Sequence, residues 1–293
     1  MKVVVIGADG QLGSDVTAAL SRKGIEAVAL AHADIEVSSR QSVNSALGGI
    51  NPEVIVNTAA MHQVESCEAD PQRAFAINAL GARNVAMFAR DINAVVFHIS
   101  TDYVFDGSKG APYVESDCPL PLNVYGNSKL AGEAFVRTLV PRHFVLRVSA
   151  LYGRNPCRGK GGRNFVELML KLAVERGSAR VVDEEKISPT PTSQVAEQIL
   201  ALIHTDQYGL YHATAEGACS WYEFAEAIFR MTNTRCKLEK ALPGEFPVKA
   251  PRPAYSVLEN TRLKAIGANV FSDWQSGLHQ YLVTRGFPQA HRA

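Results

Sequence analysis

Apolar positions along the chain fall into short continuous runs separated by stretches with helical spacing. Residues 3–6 form a β-branched run ending at Gly7, the pattern of a strand buried on both faces of a parallel sheet. Residues 15–22 predict a helix with Gly24 as its stop, and 25–30 predict a second strand. A helix over 39–47 is opened by Ser38 or Ser39, and 53–56, introduced by Asn51-Pro52, reads as a third strand. Between 71 and 91, Ala74, Ile77, Ala82, Val85 and Phe88 recur at helical spacing and predict one long helix. A fourth strand over 94–99, a helix over 121–139 and a fifth strand over 144–148 complete the series.

Five alternations of strand and helix within the first half argue for right-handed βαβ units, hence an α/β fold with a doubly wound parallel sheet. Beyond residue 150 the order loosens. Gly159-Lys160-Gly161-Gly162 predicts a flexible loop, 164–176, 195–203 and 221–231 predict helices, and 243–253 is rich in proline. The expected division is a dinucleotide-binding domain over 1–150 and, over 151–293, mainly a smaller α/β cap with segments returning to the core. No internal repeat is evident.

Composition narrows the partners. With 30 Lys+Arg against 29 Asp+Glu, the net charge of +1 gives no reason to expect nucleic acid or an anionic membrane, so any anion site must be local. The five cysteines contain no CxxC pair, which predicts reduced thiols and neither disulfides nor a zinc site. The opening apolar run is too short for a signal-peptide core, and no stretch approaches the roughly 20 apolar residues of a membrane span. The expected location is the cytoplasm.

Three segments carry chemistry. Gly7-Ala8-Asp9-Gly10-Gln11-Leu12-Gly13 follows the first strand and opens a helix. Glycine suits a tight turn there, lets backbone approach a pyrophosphate, and lets helix and strand pack closely. The helix N-terminus then faces the phosphates with free N–H groups. After the second strand, Leu30-Ala31-His32 offers neither a carboxylate for a ribose 2′-hydroxyl nor an arginine for a 2′-phosphate. Asp34 lies a few residues late, where it would face the adenine edge. NADPH is favoured, with NADH left open.

Tyr125-Gly126-Asn127-Ser128-Lys129 places a phenol and an ammonium one helical turn apart. A tyrosine has a free pKa of about 10, and a nearby ammonium is expected to lower it for acid–base work. Ser100-Thr101 follows the fourth strand, where α/β sheets collect reacting groups, and a hydroxyl there can donate to a carbonyl oxygen. Thr101 is preferred, since Ser100 is expected to close the strand.

These segments, with 54–60, 100–107 and 125–133, resemble the dTDP-4-dehydrorhamnose reductase family of extended short-chain dehydrogenases. Further similarity lies in Leu146-Arg147-Val148-Ser149, Asn164-Phe165-Val166, Ser188-Pro189-Thr190 and 220–225. The resemblance implies a Rossmann fold and NAD(P)H-dependent reduction of the C4 ketone of dTDP-4-dehydro-L-rhamnose. It implies a catalytic set of Thr101, Tyr125 and Lys129, with Lys129 also holding the nicotinamide ribose. Cofactor contacts would come from Gly7, Gly10, Gln11, Leu12, Gly13, Asp34, Ile35, Asn57, Ala59, Ala60 and Asn78, together with Tyr125 and Lys129. His62, Val64, Thr101 and Tyr103 would surround the sugar, and Arg252 is the candidate diphosphate contact. A homodimer is a family-level expectation.

Two positions depart from the pattern. Ala150 stands where the family commonly carries a tryptophan beside the sugar, which would widen the pocket or shift substrate preference. Relatives are described with magnesium at a dimer contact, but Pro189-Thr190-Pro191-Thr192-Ser193 lacks an acidic residue, so no metal is expected. Two other readings stay open: a reductase or epimerase for another nucleotide sugar, and a non-catalytic subunit like the regulatory subunit of methionine adenosyltransferase.

Overall fold

A computed structural model describes residues 1–156, 162–242, 244–246 and 249–287. Cys157, the predicted loop at 159–161 and Pro243 lie outside the described residues. The chain runs β1 (Lys2–Ile6), α1 (Gln11–Arg22), β2 (Glu26–Leu30), α2 (Arg40–Gly48), β3 (Val54–Asn57), α3 (Val64–Ala69) and α4 (Pro71–Phe75). A π-helical turn (Ala76–Gly81) leads into α5 (Ala82–Asp91), followed by β4 (Val95–Thr101), α6 (Val124–Leu139), β5 (His143–Val148), β6 (Leu151–Tyr152) and α7 (Phe165–Arg176). The remainder is β7 (Ser178–Val181), β8 (Lys186–Ile187), β9 (Thr190–Pro191), α8 (Thr192–Leu202), β10 (Gly209–His212), β11 (Cys219–Ser220), α9 (Trp221–Met231), β12 (Lys237–Lys240), α10 (Thr261–Ala265) and α11 (Trp274–Thr284).

The β-branched runs predicted to be buried on both faces are central strands. Six parallel strands lie in the order β10-β5-β4-β3-β1-β2. One face buries Val3, Val5, Val56 and Phe97 against Val16 and Leu20 of α1 and Val195 and Ile199 of α8. The other buries Val4, Ile55 and Val96 against Leu47, Val85, Ala89 and Val136. Growth of the sheet changes direction between β1 and β3, which makes the crevice beyond their carboxyl ends the place for a ligand. A separate apolar core joins Val166 and Met169 of α7, Phe224 and Ile228 of α9, and Leu278 and Leu282 of α11.

Four features differ from the sequence expectation. Helix α1 begins at Gln11, because the glycine turn passes directly into it with Gly10 as its N-cap. Helix α6 begins at Val124, where the Asn123 side chain accepts the Gly126 N–H and fixes the start. The run over 71–91 is interrupted by the π turn, whose extra residue turns Asn78 inward. Buried there, the Asn78 amide accepts the Met61 N–H at 2.8 Å and donates to the Met61 carbonyl and Ser128 Oγ, each at 2.9 Å. Finally, β10 is a sixth strand that the sequence did not announce, since Gly209-Leu210-Tyr211-His212 is neither a continuous apolar run nor an alternation.

Candidate active site

The first βα turn is shaped by backbone crowding. Gly7 adopts φ +78°, and a Cβ on it would meet Thr58 Oγ1 at 2.7 Å. A Cβ on Gly13 would overlap the Gly7 carbonyl oxygen and reach Ala8 Cα at 2.8 Å, so α1 sits directly on the turn only because that position is glycine. No side chain caps α1, and its first turn holds no acid. Helices α2, α6, α7, α9 and α11 by contrast take side-chain caps from Ser39, Asn123, Asn164, Ser220 and Asp273. An uncapped N-terminus at the switch point fits a pyrophosphate.

At the carboxyl end of β4 and the start of α6 lie Thr101, Tyr125 and Lys129. Strand β4 extends through Thr101, two residues beyond the expected 94–99, and alternation sends Ser100 beneath α6. Thr101 Oγ1 accepts the Tyr103 N–H at 3.2 Å and donates to Asp102 Oδ1 at 3.0 Å. The other oxygen of Asp102 accepts the Ser149 hydroxyl at 2.8 Å. Burial pushes the Asp102 carboxyl up, opposed by the hydroxyls of Ser256, Ser149 and Thr101. Tyr125 meets Tyr103 edge to face, with ring centroids 6.0 Å apart.

The expected lowering of the Tyr125 pKa is not found. Burial raises it, the Thr101 hydroxyl opposes that rise, and Asp102 and Cys67 add to it. Lys129 is only 2% exposed, and burial draws its ammonium down to about 8, against the pull of Glu133 and Cys67. Burial is the largest influence on both groups, and neither is among the causes of the other's shift. A neutral phenol is nevertheless the form needed to deliver a proton.

Below these groups the sheet is polar. His98 and Ser100 of β4 with Asp102 just past its end, and Arg147 of β5 with Ser149 just past its end, form a buried polar ladder under α6. His98 and His212 are buried and held neutral. Burial comes first in both, with Lys129 acting on His98 and Arg147 on His212, which falls to about 3. In the unfolded chain both bind protons near pH 6.5, so below that pH each removes about 1.4 kcal/mol of stability per pH unit. The melting temperature is therefore expected to fall between pH 7 and pH 5.5, and less steeply in His212→Gln. A flat profile would show that neither ring is held neutral.

Other residues singled out from the sequence are spread around this centre. Asn57 is buried and accepts the Ala59 N–H at 3.2 Å, which fixes the backbone at Ala59 and Ala60 beside the glycine turn. Gln11 Nε2 donates to the Gly153 carbonyl, and Leu12 is packed into the core, leaving its backbone as the part that faces the turn. Asp34 is exposed and accepts the Ala31 N–H at 2.8 Å, closing its own turn, while Ile35 is buried. Asn78 is bonded within the protein, as described. Val64 starts α3, with His62 two residues before it.

Arg252 donates to Glu65 Oε1 at 2.5 Å and lies near Tyr103 and Glu185. Glu185, pushed up by burial, accepts the Trp221 indole N–H at 3.0 Å. Glu65, Glu185, Asp102 and Glu133 were not singled out from the sequence. Glu185 and Trp221 are 36 residues apart in sequence, and only folding brings them together. Among the described residues no three His, Cys, Asp or Glu side chains gather in a way that would hold a metal, and no helix is long and apolar enough to cross a membrane.

Residues 1–285 match the family model described as RmlD substrate binding domain. The chain is 38% identical over 284 residues to the spore coat polysaccharide biosynthesis protein SpsK of Bacillus subtilis (strain 168), covering 97% of this chain and 98% of that one. It is 34% identical over 290 residues to a dTDP-4-dehydrorhamnose reductase of Aggregatibacter actinomycetemcomitans, covering 94% and 97%. The solved dTDP-4-dehydrorhamnose reductase of Bacillus anthracis in complex with NADP is similar at a TM-score of 0.92 and 36% identity, over 97% of this chain and 100% of that one.

Proposed function

The chain belongs to the RmlD family of dTDP-4-dehydrorhamnose reductases, and from that membership we propose that it reduces the C4 ketone of dTDP-4-dehydro-L-rhamnose to dTDP-L-rhamnose with NADPH. The observation that carries the reading is the placing of Tyr125 against Thr101 at the end of β4, with the buried Lys129 one turn further along α6 and the uncapped start of α1 at the same carboxyl edge of the sheet. When bound at that turn, the cofactor supplies the hydride. The protein's own part is to orient the ketone and deliver a proton.

Tyr125 holds its proton firmly and releases it when negative charge gathers on the C4 oxygen, which is a stronger base than phenolate. Lys129, cationic up to about pH 8, would stabilise the phenolate left behind and would hold the nicotinamide ribose of a bound cofactor. The Thr101 hydroxyl donates to Asp102, so it must rotate its single hydrogen to assist the same oxygen.

Residues 1–150 would then bind the dinucleotide and 151–293 mainly the sugar nucleotide, with Arg252 exchanging Glu65 for the diphosphate. The reading includes a cytoplasmic location and a homodimer, the latter open to test by light scattering. A second reading, reduction of a related 4-keto sugar nucleotide, is favoured by Ala150. This residue takes φ +42° two residues after the end of β5 and leaves the space of the family's indole unfilled from that position. The deciding experiment follows oxidation of NADPH and of NADH with dTDP-4-dehydro-L-rhamnose made in situ. Rapid oxidation with dTDP-L-rhamnose as product is expected. NADPH binding without oxidation would sink the rhamnose assignment and turn attention to other 4-keto sugars.

A further inference from the structure

Three catalytic side chains arrive from two different elements, and nothing in either element alone sets their separation. Thr101 ends β4, while Tyr125 and Lys129 lie one turn apart on α6. One turn further along α6 comes Glu133, which is fully buried. Its carboxylate accepts the Ser100 hydroxyl at 2.5 Å, from the residue immediately before Thr101. It also accepts Arg147 Nε at 2.9 Å and Nη2 at 2.8 Å, a two-pronged pairing from β5. Ser100 and Arg147 are register partners in adjacent strands. One carboxylate thus ties the helix bearing Tyr125 and Lys129 to both strands that frame Thr101.

Stability alone is a poor reason for this arrangement. Removing two charges from water costs about as much as their attraction returns, and apolar residues of similar volume often do as well. The surrounding sheet is built from Val, Ile and Phe, so an apolar filling was available. Arg147 even leaves Nη1 without a hydrogen-bond partner, with its guanidinium 5.1 Å from the centre of the Phe105 ring. What the ion pair offers and apolar packing does not is direction, since a carboxylate gripped by a planar fork has one favoured geometry.

We propose that Glu133 is a positioning residue for the reduction, which with Arg147 and Ser100 sets the helical register at which Tyr125 and Lys129 meet Thr101. The proposal rests on the assignment of those three residues to catalysis. It also touches the charge of Lys129, which is faced by Glu133 on its own helix, by Cys67 from α3 and by His98 from β4. Glu133 is the anion of this group, so neutralising it lets the Lys129 ammonium lose its proton at lower pH.

The test compares Glu133→Met/Arg147→Met, which leaves no charge unpaired, with Arg147→Lys, Glu133→Gln and the parent enzyme. A loss of alignment of about 1 Å costs up to a hundredfold in rate. The double variant is therefore expected to fold with a melting temperature near the parent's, to keep both KM values within about threefold, and to lose at least tenfold in kcat. Arg147→Lys, which keeps the charge but not the fork, should fall between the two, and Glu133→Gln should move the alkaline limb of kcat to lower pH. A folded double variant with parental kcat overturns the proposal. Should the double variant not fold, Ser100→Ala removes only the tether to β4, and parental kcat in that variant overturns it equally. Tyr125→Phe, assayed in parallel, separates the two levels: full activity there would defeat the catalytic assignment itself.

Discussion

Tyr125→Phe is expected to lower kcat at least about a hundredfold, with NADPH affinity within about threefold of the parent, because the change removes a proton and an oxygen and little else. The ring is partly buried and meets Tyr103 edge to face, so phenylalanine can keep the same packing. Loss of the hydroxyl leaves developing charge on the C4 oxygen with Thr101 as its hydroxyl neighbour, and Thr101 is already committed to Asp102. The raised Tyr125 pKa adds a sign to the prediction. In the reducing direction the phenol must begin protonated, so the parent's kcat should hold steady through neutral pH instead of requiring ionisation near 7. Steady-state rates of the variant with saturating NADPH, together with fluorescence titration of NADPH, decide the matter. Near-parental turnover would remove Tyr125 from the chemistry.

The second large effect is at the start of α1. Gly13→Ala places a methyl group into the Gly7 carbonyl oxygen and against Ala8 Cα, both of them backbone atoms that cannot swing aside. The helix must lift from the turn, and its uncapped N–H groups lift with it. NADPH affinity is expected to fall on the order of a hundredfold, about 2.7 kcal/mol. The melting temperature should fall as well, because Leu12 and Val16 leave their places in the core. Calorimetric titration of NADPH gives the first number and thermal unfolding the second. Parental affinity with an undisturbed melting temperature would show that α1 has room the described geometry denies it.

The sequence made some of this legible because certain interactions are local. A β-branched run, a glycine turn and a helix-spaced Tyr and Lys each announce themselves within seven residues, since steric limits and the helical repeat act over that distance. Strands β1 to β5 and the positions of Gly7, Gly13, Thr101, Tyr125 and Lys129 were accordingly readable. Strand β10 was not, because its four residues become a strand only through pairing with β5. Glu133 and Arg147 lay inside recognised motifs, yet their partnership spans 14 residues and two elements, beyond any periodic signal. The direction of the Tyr125 shift was missed for a related reason. Spacing places the ammonium beside the phenol, but it says nothing of how dry the site is.

The return of α8 and β10 to the first sheet constrains how such a gene can be cut and recombined. Helix α8 lies on α1, and β10 is the outer neighbour of β5, although both come from beyond residue 190. A fragment ending at residue 150 would keep the glycine turn and the catalytic set, but would bare the backbone edge of β5 and the apolar flank of α1. Unpaired strand edges and exposed apolar faces invite association between copies. Exchange of C-terminal halves between relatives therefore has to carry residues 192–212 with residues 1–150, or it opens the sheet at β5 and strips α1.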